Sequence, residues 1–262
     1  PVARAARDRG LPLLQPADLR DPAFLAALRS WDAEIFAVVA FRILPEEVYG
    51  IPPHGAVNLH ASLLPAYRGA APIQWALWEG ETVTGLTTFR IERTVDTGNI
   101  LKQRRVEIWE RDDAGSLAAR MAREGAQLLV ETLDGLERGD LSPQPQDHRL
   151  ASPAPKITKE HGRLDWTRPA RELVDQIRAL SPEPAACTTL QGQALKIFRA
   201  EPVSESPGLA PGELLITDRE MIAGTGSEPL RLAEIQLQGK KRMDTTSFLR
   251  GFRPRGRFTL ES

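Results

Sequence analysis

Residues 34–41 read Glu-Ile-Phe-Ala-Val-Val-Ala-Phe, and residues 55–60 read Gly-Ala-Val-Asn-Leu-His. The first is a continuous apolar run too short for a core helix, and it suits a strand buried on both faces of a parallel sheet. The second predicts the next strand. Upstream, a helix over Val2–Arg9 is stopped by Gly10, a short apolar strand is expected at Leu11–Leu14, and a helix follows over Pro22–Trp31. Asp21 stands at that helix's N-cap and Pro22 at its first position. Downstream come a helix over residues 70–79, a Thr- and Val-rich strand over 83–91, and a long amphipathic helix over 113–138 carrying Leu117, Met121, Leu128 and Leu136. Strands alternating with helices predict an α/β fold with a doubly wound, mostly parallel sheet.

The pattern breaks at 141–157, where Pro143, Pro145, Pro153 and Pro155 stand among polar residues. This composition reads as a linker, so the first domain is expected over 1–140. Beyond it, one helix is predicted at 169–180, then short strands at 186–190, 194–200, 212–216, 221–223 and 230–237, punctuated by glycine. Short strands with frequent glycine turns predict a small OB-like β-barrel as a second domain over 158–262.

The net charge of −1 conceals a division. Residues 231–262 hold eight Lys/Arg against three acidic residues, a surplus of five, so the preceding 230 residues carry −6. That asymmetry points the C-terminal end toward a polyanion. No apolar run approaches the ~20 residues of a membrane span. With one cysteine, Cys187, no internal disulfide can form; a reducing, cytoplasmic setting is expected. His54, His60, His148 and His161 show no paired spacing, so no metal is expected.

The chemistry concentrates in Asn58-Leu-His60-Ala-Ser62-Leu-Leu-Pro65 and in Thr94-Val-Asp96-Thr-Gly98. Asn58 and His60 are two apart on a strand, so their side chains leave one face. They stand at the strand's C-terminal end, where open α/β sheets bind ligands. An amide beside an imidazole suits an oxygen that becomes negative, and the Asp96 carboxylate would orient the imidazole and favour its charged form. Spacing alone leaves these three a candidate set, because Asn-x-His and Asp-Thr-Gly also occur for purely structural reasons.

These stretches, with Tyr67-Arg-Gly-Ala-Ala-Pro72, resemble the signature of the folate-dependent formyltransferases. Ser62–Pro65 with Arg68–Ile73 most resembles the members that act on methionyl-tRNA. Three later stretches, Pro155–Lys159 through Trp166, Cys187–Gly192 and Gly239–Met243, agree in order. The resemblance implies a formyltransferase catalytic domain, with Asn58, His60 and Asp96 as the catalytic set. It further implies that Ser62, Leu63, Leu64 and Pro65, with Ile43 and Leu44, contact the folate. Lys240, Lys241 and Arg242 would contact nucleic acid from a tRNA-binding barrel. The implied donor is 10-formyltetrahydrofolate, the implied acceptor is the methionine amine of initiator methionyl-tRNA, and the chain is expected to act as a monomer. The family pattern also implies a strand-helix-strand unit before Pro1. Residues 40–43 run one short of the pattern beside the folate segment. The competing functions are a related formyltransferase or formyl hydrolase with a small-molecule acceptor, and an inactive RNA-binding fragment.

Overall fold

The computed structural model describes residues 2–204 and 207–261. Helix α1 spans Val2–Asp8 and ends at Gly10, whose φ of +65° is a conformation glycine adopts at little cost. No strand forms at 11–14, where Leu11 is exposed; a strand needs a hydrogen-bonding neighbour, and none lies there among the described residues. Helix α2 (Pro22–Ser30) starts as expected, with the Asp21 carboxylate accepting the Ala23 and Phe24 N–H groups. Next come β1 (Phe36–Val39), α3 (Glu46–Tyr49), β2 (Ala56–His60), the two-residue β3 (Arg68–Gly69) and α4 (Pro72–Trp78). Then β4 (Val83–Arg90), β5 (Ile100–Glu107) and the 24-residue α5 (Ala114–Glu137) complete the first unit.

The sheet runs β1-β2-β4-β5. Only β1–β2 is parallel; β2–β4 and β4–β5 are antiparallel. The α/β class is as expected, but in this four-stranded sheet parallel pairing is confined to one pair among the described residues. The cause is the 61–82 connection, which leaves and re-enters at the same end of the sheet, whereas a parallel return must cross to the other end. Strand β1 also departs from its reading. Among the described residues it is an edge strand with Val39 half-exposed, not one covered on both faces. The main core of this unit lies between the sheet and α5, where Leu86, Val106, Leu117, Met121 and Leu128 pack against Ala76 and Leu77 of α4. Leu117, Met121 and Leu128 are fully buried. Truncating any one of them to alanine is worth about 2–5 kcal/mol.

The 141–157 segment is fastened to this unit along its length. Gln144 exchanges both backbone hydrogen bonds with Ile100, at 2.7 and 2.8 Å. Strand β6 (Pro153–Ala154) pairs in parallel with β3.

Helix α6 (Ala170–Leu180) joins the two halves. Its Leu173, Ile177 and Leu180 enter the barrel core, while Ala179 enters the core beside α4. The barrel follows as β7 (Ala186–Leu190), β8 (Gln193–Pro202), β9 (Glu213–Ile216), β10 (Met221–Ala223), β11 (Leu230–Leu237), the short β12 (Met243–Asp244), α7 (Thr245–Gly251) and β13 (Gly256–Glu261). The order β10-β9-β13-β7-β8-β11, with β10 also pairing β11, closes six strands into a ring. On β11, Leu230, Leu232, Ile235 and Leu237 fill its interior, the alternation slipping by one residue at the irregularity around Glu234.

Candidate active site

Strand β2 sets Asn58 and His60 on one face, as a two-residue period requires. Each is fixed by sheet pairing: Asn58 opposes Val38 on one side and Phe89 on the other, and His60 opposes Thr87. The His60 ring is buried, and its Nε2 lies 2.8 Å from the carbonyl oxygen of Tyr67. A carbonyl only accepts, so Nε2 carries a proton in either charge state. Nδ1 then faces Asp96 Oδ2 at 3.7 Å, and becomes the positive half of an ion pair once it is protonated. Both partners are nearly closed to solvent, at 7% and 8% side-chain exposure, so water screens the pair weakly. The same Oδ2 accepts the Gly69 N–H at 2.9 Å.

The path by which Asp96 arrives is unexpected. Because β4 runs antiparallel to β2, its last residue, Arg90, lies opposite Val57 rather than His60. The loop after β4 must therefore run back about 10 Å, three residues of strand, to bring the carboxylate to the imidazole. Gly98 allows this return, since a Cβ there would overlap the Arg90 carbonyl. Asp96 itself sits at φ +56°, a left-handed conformation that Asp and Asn tolerate better than most residues. Gly69, at φ +126°, meets the Ala154 carbonyl where a side chain would not fit.

Above these groups opens a cleft of about 740 Å³. Val39, Phe41, Ile73, Leu86, Val95 and Met121 give it apolar walls, and Asn58, His60, Asp96 and Gln74 supply convergent polar groups. Among the described residues the Asn58 amide has no hydrogen-bond partner, which leaves its donors available to a bound molecule. A larger cavity, about 1000 Å³, lies beside α2 and α3 among Arg20, Leu44, Tyr49 and Arg93. It holds none of the three candidate residues, so the smaller cleft is the chemically equipped one.

The remaining candidates divide. Ile43 reaches the cleft; Leu44 lines the other cavity. Ser62–Pro65 do not line the cleft. Ser62 is fully buried and closes its own turn by donating to the Ala66 carbonyl at 2.6 Å, and Leu63 packs on Gly85. Thr87 donates to the Ser62 carbonyl and accepts the Leu64 N–H, while Gln103 donates to the Leu64 carbonyl. These residues build the loop that carries Tyr67 and Gly69 to the site. Tyr67 is itself anchored: burial, and then its hydrogen bond to the Glu81 carboxylate at 2.8 Å, push its phenol well above the usual 10.

On the barrel, Lys240 and Lys241 are exposed and form no ion pair among the described residues, but Arg242 is engaged. It grips Glu234 with two 2.8 Å hydrogen bonds and lies 4.2 Å above the Phe198 ring. Arg231, Arg255 and Arg257 are likewise paired with carboxylates. Four of the eight basic side chains of residues 231–262 are thus neutralised locally. Sequence reasoning missed the Tyr67 carbonyl, the Gly69 N–H and Gln146, which donates to the Asp96 and Gly98 carbonyls. The first two are backbone groups without a side-chain signal, and the third lies in a stretch that reads as linker. Among the described residues no three His, Cys, Asp or Glu side chains are grouped to hold a metal ion, and no helix is long and apolar enough to cross a membrane.

Comparison with known proteins adds a second line. Residues 1–133 match the model of the formyl transferase family, and residues 156–253 that of the formyl transferase C-terminal domain. The chain is 45% identical over 259 residues to the methionyl-tRNA formyltransferase of Chlorobium limicola, covering 97% of this chain and 81% of that protein. It is 44% identical over 254 residues to the enzyme of the same name from Thermobifida fusca, covering 97% and 82%. Among solved structures, the methionyl-tRNA formyltransferase from Clostridium thermocellum shares the fold at TM-score 0.59 and 16% identity, over 90% of this chain and 91% of that one. HypX from Aquifex aeolicus in complex with tetrahydrofolic acid does so at TM-score 0.66 and 22% identity, over 86% and 40%. With both family models matched in order and near-full-length relatives well above 40% identity, the chain belongs to the formyl transferase family.

Proposed function

We propose that this protein transfers the formyl group of 10-formyltetrahydrofolate to the α-amine of methionine on initiator methionyl-tRNA. The observation that carries the reading is the shielded His60–Asp96 pair beside the unpartnered Asn58 amide on the floor of an apolar cleft. It occurs in a chain 41–47% identical to proteins named methionyl-tRNA formyltransferase. The cleft suits the donor: its volume falls in the range of small-molecule sites, and its walls are apolar with few polar groups, as a planar heterocycle requires. When bound, the formyl-folate supplies an electrophilic formyl carbon and a nitrogen leaving group.

The residues divide the work as follows. Asn58 donates a hydrogen bond to the formyl oxygen as negative charge grows on it. His60, protonated, adds the larger electrostatic contribution. Asp96 faces Nδ1 and orients the imidazole while Tyr67 holds Nε2. The Asp96 carboxylate also takes a proton from the attacking amine through water and returns it to the leaving nitrogen. A free α-amine has pKa about 7.7–8, and the adjacent ester lowers it, so much of the acceptor is neutral near pH 7. No covalent enzyme intermediate is needed. Lys240 and Lys241 serve the tRNA backbone; the protein works as a monomer in the cytoplasm, where that acceptor is found.

The test is a comparison of acceptors. Purified protein with 10-formyltetrahydrofolate is offered methionyl-tRNA, amino-sugar nucleotides, glycinamide ribonucleotide, or water alone. Formyl-methionyl-tRNA as the preferred product supports the reading. Preferential formylation of a small amine, or simple hydrolysis of the donor, would replace it with the corresponding relative's activity.

A further inference from the structure

We propose that Gln146 is a positioning residue for formyl transfer: it holds the Asp96 loop and the turn around Arg68 in one register, and so sets the His60–Asp96 pair. The inference rests on the formyl-transfer reading above.

Gln146 is buried, at 7% exposure, within an otherwise exposed proline-rich segment. Its amide is fully used. Nε2 gives its two protons to the carbonyls of Asp96 at 3.0 Å and Gly98 at 2.8 Å. Oε1 accepts from the Arg68 guanidinium, from Nε at 3.2 Å and Nη2 at 2.5 Å. Arg68 stands between Tyr67, whose carbonyl takes the His60 Nε2 proton, and Gly69, whose N–H goes to Asp96 Oδ2. One side chain therefore bridges the two backbone segments that hold the pair from opposite sides.

The turn around Arg68 has further anchors in β6 and in the Tyr67–Glu81 hydrogen bond, whereas the Asp96 loop leans on Gln146. Residues 92–95, just ahead of Asp96, are exposed. Apart from its carboxylate's contacts with Gly69 and His60, Asp96 is tied to the rest of the fold, among the described residues, through Gln146. The strap that carries Gln146 is anchored independently on both flanks, by Gln144 on Ile100 and by β6 on β3. A substitution at 146 should thus leave the strap in place and free only the loop. Displacing a reacting group by about 1 Å can cost on the order of 10² in rate.

The experiment uses Gln146→Met in the intact protein, a swap that keeps length and volume but removes all four hydrogen bonds. The expected result is a fall in kcat of about 10–100-fold with both KM values held within about twofold, since Gln146 does not line the cleft. Gln144→Met, two residues away with an exposed side chain, should leave kcat unchanged. Gln146→Glu retains the Arg68 contact but turns an oxygen toward two carbonyls, and it should reproduce the kcat-only loss if the Met variant folds poorly. A folded variant with kcat within twofold of wild type, or KM values rising as kcat falls, would overturn the proposal. If the wild-type protein fails to formylate methionyl-tRNA, the functional reading fails instead. The positioning role is then read from the His60 imidazole signals by nitrogen-15 NMR, which must shift in Gln146→Met and not in Gln144→Met; no shift sinks it.

Discussion

Replacing Asp96 by Asn removes the charge opposite His60 while keeping an oxygen to accept the Gly69 N–H. It also suits the backbone, since Asn tolerates φ +56° where alanine would add about 1–2 kcal/mol of strain. At 3.7 Å, an imidazolium and a carboxylate attract by about 4.5 kcal/mol at an effective dielectric constant near 20. That is a ceiling of a little over three decades in rate. The Asn oxygen still presents a dipole to Nδ1 and recovers part of it, so kcat should fall by about 10²–10³. This agrees with the usual contribution of a positioned acid–base group. The assay is single-turnover formylation of methionyl-tRNA at saturating donor, with tRNA affinity and thermal midpoint measured in parallel. Both should stay near wild type, because Asp96 faces the imidazole and not the barrel. A kcat within about fivefold of wild type would refute the electrostatic role of Asp96. Weakened tRNA binding with intact chemistry would refute its place in the catalytic set.

Asn58→Ala should lower kcat by about 10²–10³, the range for losing one oxyanion donor, without lowering the thermal midpoint, because the amide has no partner in the fold. The paired variant Lys240→Ala/Lys241→Ala should flatten the dependence of tRNA affinity on salt by about two units, one per lost phosphate contact; an unchanged slope would remove these residues from the interface. Arg242→Ala should instead act on the barrel, at about 0–1 kcal/mol for a partly exposed pair. Burial alone would raise the Asp112 carboxyl, but hydrogen bonds from Arg120, Trp109 N–H and Ser116 outweigh it and hold the group below its ordinary 3.8. Its stabilisation is therefore complete above that value and lost as pH falls through the lower folded one. Asp112→Asn should cost about 2–4 kcal/mol at pH 7 by urea unfolding, shrinking below pH 4; a pH-independent difference would contradict the ion-pair account.

Much of the molecule was legible in the sequence because its causes are local. The Asp21 cap, the start at Pro22, and the barrel strands at Ala186–Leu190, Met221–Ala223 and Leu230–Leu237 follow from turn chemistry and side-chain period. That Asn58 and His60 share a face follows from strand geometry alone. Strand β5 escaped notice because Lys102, Arg104 and Arg105 interrupt the apolar pattern that would have announced it. Strand β13 and helix α7 escaped in the same way amid Arg250, Arg253, Arg255 and Arg257.

Tertiary structure decided what depends on partners distant in the chain. Whether Asp96 reaches His60 turns on the direction of β4 and on a loop folded back over the sheet, and neither is written in Thr94–Gly98. Ser62 and Leu64 are turned inward where Thr87 and Gln103 take their backbone polar groups. Arg242 is spent on Glu234 because β11 and β12 pair antiparallel, which sets Glu234 opposite Asp244 and leaves Arg242, two residues earlier, diagonally across from Glu234. Gln146 looks like one more polar residue among prolines, yet its partners lie 48 to 78 residues away. Hydrogen bonds of that kind have no period and no neighbour rule. They exist only once the chain has brought their two ends together.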